Sequence, residues 1–323
     1  MRLRPLCVML ALPALALARP AAAVDACDIP PRYGVEATAA SIVQAACQEH
    51  RLWLRPFIDR DGRLASLAVT EAERARLDDG STPAWQQVAR YWRESGTLSV
   101  MGAAPGADSC MATPGERFRD SDCRAFLLDN PWSAAFISWV MRRAGVSGFL
   151  ASPRHMDYIA HAWRQPERSP YTYADPFTGK PAPGDLLCFL RAADEGRGAD
   201  GLRAALSGQG SMPRQSHCEV VIAANPGGDR TLHLVGGNTL NAVVMRQLPL
   251  ERDGRLARAT ASGVADAGCG PGLPGACDFN RRDWAVLLKL KPQAQLGLPG
   301  VLEQPPHGVT VPSADPTAPA EVD

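Results

Sequence analysis

The spacing of apolar residues changes near residue 180, and this change predicts the fold class. Before that point apolar residues recur about every three to four positions, as they do along the buried face of a helix. After it come short β-rich runs separated by turns that contain Pro, Gly or Asn. Helices are predicted over 35–58, 70–77, 83–94 and 152–163, with another between 130 and 145, and strands over 186–190, 218–222, 231–235, 242–245 and 285–290. Helices followed by antiparallel strands are typical of an α+β fold.

The helix between residues 130 and 145 has the clearest sequence signals. Asp129 or Asn130 is the predicted N-cap, with Pro131 in the first turn. Gly145 is expected to end the helix. Residues 102–120, rich in Gly, Ala and Pro, are predicted to form a loop closed by Cys110 and Cys123.

The N-terminus has the three parts of a secretory signal peptide. Arg2 and Arg4 precede a short apolar run, and small residues end at Ala23, after which cleavage is predicted. A membrane span needs about 20 apolar residues, whereas Pro13 and Arg19 interrupt this run earlier. We therefore expect a periplasmic or secreted protein without a membrane span after cleavage.

The rest of the chain divides into three predicted regions. Residues 24–100 are expected to form a helical N-terminal extension, and residues 101–291 the α+β domain. Residues 292–323, rich in Pro and Ala, are expected to be a disordered tail.

Removal of residues 1–23 leaves eight cysteines, an even number that predicts a disulfide framework in an exported chain. The connectivity is open in principle, and pairing of neighbours along the chain is the simplest prediction. No Cys-x-x-Cys pair occurs and the histidines are scattered, so neither a metal site nor a cofactor is expected. The predicted pairs are Cys27–Cys47, Cys110–Cys123, Cys188–Cys218 and Cys269–Cys277.

The charge of the chain gives no indication of a nucleic-acid partner. The whole sequence has 34 basic and 34 acidic residues, and removal of Arg2, Arg4 and Arg19 leaves 31 basic residues against 34 acidic ones. No stripe of Lys and Arg stands out, so nucleic acid is not expected to bind.

Three segments carry residue types that could perform hydrolysis. Ser133 lies in the first turn of its predicted helix, where free N–H groups and the helix dipole favour a developing anion. His217 lies at the start of a predicted strand, and Asn238 follows two glycines at a strand end. Together they would form a triad of nucleophile, general base and orienting group.

Each of these residues also has a structural interpretation. Ser133 would then be a small residue near a helix start, and His217 a structural or exposed histidine. Asn238 would be a turn residue that tolerates positive φ.

The order of these segments resembles the papain-like cell-wall amidases and peptidases of the CHAP and NlpC type. Those families have a Trp-Cys-Ala-Ala-Phe string on the first helix, where this chain has Trp132-Ser133-Ala-Ala-Phe136. The Pro183-Gly184-Asp185-Leu186 turn also matches. The resemblance implies a papain-like core and a hydrolase for amide bonds in peptidoglycan peptides. It makes four residues candidates for substrate binding: Trp132, His155, Tyr158 and Asp185.

Over residues 85–290 the chain also resembles an uncharacterised bacterial family, domain-of-unknown-function family 2272. The resemblance rests on the Trp-Ser-Ala-Ala-Phe helix, the segment from Ser152 to Tyr158, the strand that begins at Gly184, His217-Cys218, and Gly236-Gly237-Asn238. Since that family is uncharacterised, the resemblance adds no activity.

The replacement of Cys by Ser133 leaves two functions open. A serine hydroxyl ionises far less readily than a thiol, so the chain is either a working Ser-His-Asn hydrolase or an inactive domain. An inactive domain would bind peptidoglycan peptides or an unidentified periplasmic protein. A structural protein without a functional cleft is a third alternative. Cys218 is not expected to be the nucleophile, because neighbouring strand residues face opposite sides of the sheet.

Overall fold

The computed structural model describes residues 25–30, 34–71, 75–260 and 277–296. Within these ranges the chain forms eight α-helices and eight strands. The helices are α1 (Ala37–Leu52), α2 (Ala84–Ser95), α3 (Ala107–Met111), α4 (Arg117–Asp129), α5 (Ser133–Arg143), α6 (His155–Arg164), α7 (Gly198–Leu206) and α8 (Gln293–Leu296). The strands are β1 (Phe57–Ile58), β2 (Leu64–Ser66), β3 (Tyr171–Ala174), β4 (Leu186–Leu190), β5 (Ser216–Ala224), β6 (Thr231–Thr239), β7 (Ala242–Pro249) and β8 (Asp283–Leu290). The predicted α+β class is confirmed.

All eight strands belong to one sheet with the order β2-β1-β7-β6-β5-β4-β8-β3. The neighbours pair antiparallel, except that β1 runs parallel to β7. The five predicted strands correspond to β4–β8 and are confirmed. The short strands β1, β2 and β3 were not predicted, and they occupy the two ends of the sheet.

The two faces of the sheet pack against different apolar clusters. Cys188, Cys218 and Val220 belong to the larger cluster, which also includes the buried faces of α1, α2 and α5. Phe189 and Val221 belong to the smaller cluster on the other face. Because strand residues alternate between faces, His217 shares the Phe189 face, and their rings lie 5.1 Å apart.

Three of the four predicted disulfides are confirmed: Cys27–Cys47, Cys110–Cys123 and Cys188–Cys218. The third joins directly paired residues of β4 and β5. Of the fourth predicted pair, Cys269 lies outside the described residues.

The first helix is shorter than predicted. It ends at Leu52 instead of continuing to residue 58, because Leu54 and Arg55 have positive φ values of 66° and 55°. Pro56 follows, and a proline disfavours helical backbone in the residue before it. The chain then enters β1.

The helix predicted over 70–77 is absent from the residues of this range that the structure describes. Residues 72–74 lie outside the described range, and Arg76 forms an isolated antiparallel bridge with Pro83. The helix predicted over 83–94 is confirmed as α2, and the helix predicted over 152–163 starts three residues late as α6.

The loop predicted over 102–120 is wrong for part of its length, since it contains α3 and the start of α4. Its closure by the Cys110–Cys123 disulfide is confirmed. The N-cap prediction for the next helix is also wrong: Trp132 holds that position, and Asn130 is the C-cap of α4. Pro131, predicted in the first turn, precedes the helix.

The predicted signal peptide lies outside the described residues, as do residues 297–323 of the predicted tail. The predicted N-terminal extension contributes β1 and β2 to the sheet and α1 to the larger apolar cluster. Among the described helices, none combines the length and apolar character that crossing a membrane requires.

Candidate active site

Ser133 is the first residue of α5, and the preceding Trp132 fixes its position. The Trp132 side chain is fully buried, with its ring stacked on Trp53 and Tyr91 at 5.7 and 5.6 Å. Its indole N–H donates to the Glu71 carboxyl group. These contacts hold the start of α5, where backbone N–H groups have no partner within the helix.

Ser133 contacts a histidine from the next helix. Its Oγ lies 2.7 Å from Nε2 of His155, the first residue of α6. The other ring nitrogen, Nδ1, is hydrogen-bonded to the Tyr158 hydroxyl. Ser133, His155 and Tyr158 therefore form one chain of polar groups, and all three are buried.

His217 belongs to a second polar chain on β5. Its Nε2 lies 3.5 Å from Glu219 Oε1 and 3.4 Å from Thr239 Oγ1. Glu219 is fully buried and accepts hydrogen bonds from Nε and Nη2 of Arg246, at 2.9 and 3.0 Å. Since His217 and Glu219 are two residues apart on a strand, they lie on the same face of the sheet.

The two chains meet through their imidazole rings, because the ring centroids of His155 and His217 lie 5.3 Å apart. Burial is the main cause that lowers the pKa of both histidines. The pKa of His155 is lowered further by His217 and Arg191. Glu219 acts to raise the pKa of His217 but does not outweigh burial. Burial acts to raise the pKa of Glu219, but Arg246 and His217 outweigh it and bring that pKa to about 2. At neutral pH the pair therefore consists of two neutral imidazoles beside an ionised carboxylate.

The two glycines before Asn238 allow this close packing. A Cβ on Gly237 would lie 2.4 Å from Cγ of Phe136, so β6 can approach α5 only with glycine there. A Cβ on Gly236 would lie 2.7 Å from Cγ of Glu219 and 3.1 Å from Nε2 of His217. The Gly-Gly pair thus makes room for α5 on one face and for the His217 chain on the other.

A pocket of about 200 Å³ opens beside His217, and we call it the arginine pocket. Polar residues on its wall include Arg191, Glu195, His217, Asn238 and Arg282. Apolar residues also contribute to the wall: Ile58, Phe189, Leu240 and Phe279. The pocket therefore joins an apolar wall to several charged groups next to the second polar chain.

The structure brings Ser133 and His217 into one region but puts His155 in contact with the hydroxyl. Alternation along β5 explains this arrangement, since α5 packs on the Cys218 face and His217 points to the other. Tyr158, a candidate for substrate binding, contacts His155, and its role in substrate binding stays a prediction.

Asn238 lies on the wall of the arginine pocket. Its φ of 55° is the left-handed conformation that an asparagine in a tight turn can adopt, which agrees with the structural interpretation of this residue. In the described part of the chain, Glu219 and Thr239 are the hydrogen-bonding partners of His217 Nε2. An orienting role for Asn238 stays a prediction.

Asp185 lies away from these residues. It precedes β4, whereas His217 pairs with Phe189 near the other end of that strand, so about four residues, or roughly 13 Å, separate the two positions. Its buried carboxylate accepts hydrogen bonds from Leu290 N at 2.8 Å and from Lys289 Nζ at 2.5 Å. These contacts hold β8 beside β4. Trp132, another residue predicted to bind substrate, is fully buried and holds the start of α5.

Three further residues belong to the site although they were not predicted from the sequence: Glu219, Thr239 and Arg246. A signal for Glu219 was present, because a His-x-Glu pair on a predicted strand places both side chains on one face. Arg246 has no such local signal, since β6 separates its strand from β5.

One cluster among the described residues has the composition of a metal site. Ligand atoms of Asp25, Cys27 and His50 lie within 4.8 Å of one another. However, Cys27 is bonded to Cys47, and His50 Nε2 lies 3.0 Å from the Pro56 carbonyl. A thiolate is therefore absent from this cluster.

Comparison with known proteins identifies a family but no activity. No curated protein and no solved structure matches the chain. The sequence model of one family matches residues 79–290, nearly two thirds of the 323 residues, and includes Ser133, His155 and His217. The chain therefore belongs to the family described as an uncharacterized protein conserved in bacteria, domain-of-unknown-function family 2272 (DUF2272).

Proposed function

We propose that the protein is an exported serine hydrolase that cleaves amide bonds in peptidoglycan peptides. The observation that supports this most directly is the 2.7 Å contact between Ser133 Oγ and His155 Nε2 at the start of α5. A nucleophile in contact with a base, and a third group on the other nitrogen of that base, is the arrangement that activates a hydroxyl. In this proposal His155 is the general base, the role that was predicted for His217 from the sequence.

The tautomer of His155 follows from its role. To accept the Ser133 proton, Nε2 must be unprotonated, so Nδ1 carries the ring proton. The Nδ1–H group then donates a hydrogen bond to the Tyr158 oxygen. The lowered pKa of His155, caused first by burial, keeps the ring neutral and able to accept a proton. Tyr158 thereby fixes both the tautomer and the ring orientation.

The reaction would proceed in two steps. Ser133 Oγ attacks the amide carbon as its proton moves to His155 Nε2, and backbone N–H groups at the start of α5 stabilise the oxyanion. Collapse breaks the C–N bond, and the leaving amine takes the proton from His155. Water then attacks the acyl-enzyme and gives a proton to His155. The C–O bond to Ser133 breaks, His155 returns the proton to Ser133 Oγ, and the carboxylic acid leaves.

Different observations support the cell-wall substrate and the location outside the cytoplasm. The Trp-Ser-Ala-Ala-Phe start of α5 and the Gly184-Asp185 turn before β4 resemble the CHAP and NlpC cell-wall amidases, and a papain-like relationship is part of the proposal. Three disulfides are compatible with an oxidising compartment outside the cytoplasm.

A second function is favoured by one observation. Ser133 and His155 are each only 4% exposed, so a substrate could reach the hydroxyl only after the surrounding side chains move. A domain that binds wall peptides without cleaving them would need no such access.

The test uses residues 24–323 incubated with purified peptidoglycan fragments, with products identified by mass spectrometry. We expect the native protein to release peptide fragments and both Ser133→Ala and His155→Gln to lose at least about 100-fold in rate. Ser138→Ala is the matched control, because Ser138 is a fully buried serine of the same helix.

Two outcomes would contradict the hydrolase. Native-like rates in Ser133→Ala would exclude the nucleophile. An inert native protein beside an active Ser133→Cys variant would show a disabled enzyme and favour the binding function. A third outcome would keep the hydrolase but change its general base. If His217→Ala lost most of the cleavage rate and His155→Gln kept the native rate, His217 would be the base.

A further inference from the structure

The arginine pocket carries one net positive charge at neutral pH. The buried Glu219 neutralises Arg246, whose Nε lies 2.9 Å from the carboxylate. Arg191 and Arg282 remain, opposed by Glu195, and His217 is neutral. A single net charge matches a monoanion such as a carboxylate better than a doubly charged phosphate.

Two buried atoms on the pocket wall have no hydrogen-bonding partner in the described part of the chain: His217 Nδ1 and Arg282 Nε. A buried polar atom without a partner is unfavourable, so such atoms indicate missing contacts. His217 is only 2% exposed and contributes to the wall of the pocket, so a molecule bound there is the candidate partner of Nδ1.

The two atoms require opposite partners. His217 Nε2 faces the ionised Glu219 carboxylate at 3.5 Å, so Nε2 carries the ring proton and Nδ1 is an acceptor. Arg282 Nε is a donor. A ligand that satisfies both must present a hydrogen-bond donor, such as an N–H group, to His217 and an acceptor to Arg282, and the net positive charge of the pocket favours an anionic oxygen as that acceptor. The C-terminal residue of a peptide has both groups, separated by its Cα atom.

The rest of the wall limits the side chain of that residue. Phe189 and Phe279 lie under the Arg282 guanidinium, with ring centroids 5.7 and 6.0 Å away, and Ile58 and Leu240 complete an apolar surface. The volume of about 200 Å³ is smaller than pockets that hold drug-sized ligands. One small apolar residue fits these limits.

We infer that the arginine pocket binds the C-terminal residue of a peptide, with its carboxylate at Arg282 and Arg191 and its backbone N–H at His217 Nδ1. This inference rests on the proposed hydrolase function and makes the protein a carboxypeptidase. The bond cleaved would be the amide whose N–H contacts His217, and the products would be a shortened peptide acid and one free amino acid, with one water consumed.

Two neighbouring imidazole rings connect the nucleophile to the pocket. Ser133 Oγ lies 2.7 Å from His155 Nε2, and the His155 ring lies 5.3 Å from the His217 ring. One imidazole thus separates the hydroxyl from the pocket. Because Ser133 and His155 are each only 4% exposed, the last amide bond of a peptide held in the pocket would reach the hydroxyl only after the surrounding side chains move.

The first experiment measures binding without turnover. We would titrate N-acetyl-alanyl-alanine, as the free acid and as its C-terminal amide, into the Ser133→Ala variant of residues 24–323 by calorimetry. The free acid should bind at least about tenfold more tightly, because an ionised partner strengthens a hydrogen bond. Arg282→Gln should remove that preference. Arg281→Gln, at an exposed neighbouring position outside the pocket wall, should keep it.

A second variant guards against misfolding of Arg282→Gln. Arg191 is exposed, so Arg191→Gln should fold normally and still reduce the preference for the free acid. Equal binding of acid and amide, or an unchanged preference in both pocket variants, would overturn the assignment.

Cleavage of the same two peptides by the native protein separates the two proposals. Cleavage of the acid alone supports both. Preferential binding of the acid without cleavage would support the pocket and overturn the hydrolase, whereas equal cleavage of acid and amide would support the hydrolase and overturn the pocket.

Discussion

Gly237 is a single position on which the contact between the sheet and α5 depends. A Cβ there would lie 2.4 Å from Cγ of Phe136, and that side chain is fully buried among aromatic rings. Gly237→Ala should therefore lower the free energy of unfolding by about 1–3 kcal/mol, the usual effect of overpacking. Urea denaturation measures this change.

The control is Gly227→Ala, since a Cβ at Gly227 meets nothing within 4 Å. It should leave the free energy of unfolding within about 0.5 kcal/mol of the native value. Equal stability of the two variants would show that β6 and α5 are not in close contact at residue 237.

Glu71 should make stability depend on pH. Burial raises the pKa of this carboxyl group from 4.5 to about 8 in the folded chain. Between these values the unfolded chain releases a proton that the folded chain retains. The contribution of Glu71 is therefore complete below pH 4.5 and decreases as pH rises to about 8, by roughly 1.4 kcal/mol per pH unit within that window.

Glu71→Gln removes the ionisation but keeps an oxygen that can accept the Trp132 N–H. Measured by urea denaturation, its stability relative to the native protein should increase steadily from pH 5 to pH 8. Glu94→Gln is the matched control, because Glu94 also accepts a tryptophan N–H, from Trp139 at 2.8 Å. Burial opposes its ionisation, but hydrogen bonds from Trp139 and Arg90 lower its pKa, so no such increase is expected. A constant difference for Glu71→Gln would contradict the prediction.

Between strands, the Glu219–Arg246 pair links β5 to β7 across β6. Arg246→Met would leave a fully buried carboxylate without its counter-charge, a change that destabilises proteins by about 3–5 kcal/mol. The double variant Glu219→Leu/Arg246→Met removes both charges and should recover much of that loss. Thermal unfolding of the two variants measures the difference.

Arg90→Met serves as the surface comparison, because Arg90 and Glu94 are both about half exposed. Its effect should stay below about 1 kcal/mol. If the double variant were as unstable as Arg246→Met alone, the loss would come from packing and not from the isolated charge.

At the level of elements, sequence patterns predicted what depends on nearby residues. The strands β4–β8 follow from short β-rich runs, and α2 from its apolar stripe. The pairing of neighbouring cysteines held for the three pairs that the structure describes. The patterns failed at β1 and β2, which are only two and three residues long and are held by pairing with β7 and with each other.

The candidate site shows the same division. The position of Ser133 at a helix start follows from local sequence, and it is confirmed. Its contact with His155 does not, because it depends on how α6 packs against α5. The face of β5 occupied by α5 decides which imidazole reaches the hydroxyl, and no local pattern encodes that choice.

For the whole molecule, the family match and the folded unit have different limits. The match begins at residue 79, whereas α1 and β1 lie before it and belong to the core and the sheet. Trp53, for example, is fully buried against Trp132. We therefore expect a chain of residues 79–296 to lack cooperative thermal unfolding by circular dichroism, and a chain of residues 25–296 to retain it. Cooperative unfolding of the shorter chain would show that the N-terminal segment is dispensable.

The position of β8 has a consequence for how the molecule matures. Although β8 is the last strand among the described residues, it lies inside the sheet between β4 and β3. During synthesis from the N-terminus, β4 and β3 each keep an unpaired edge until residues 283–290 emerge from the ribosome. Nascent chains that lack β8 therefore expose strand edges to which other chains can pair, so aggregation is most favoured before synthesis is complete.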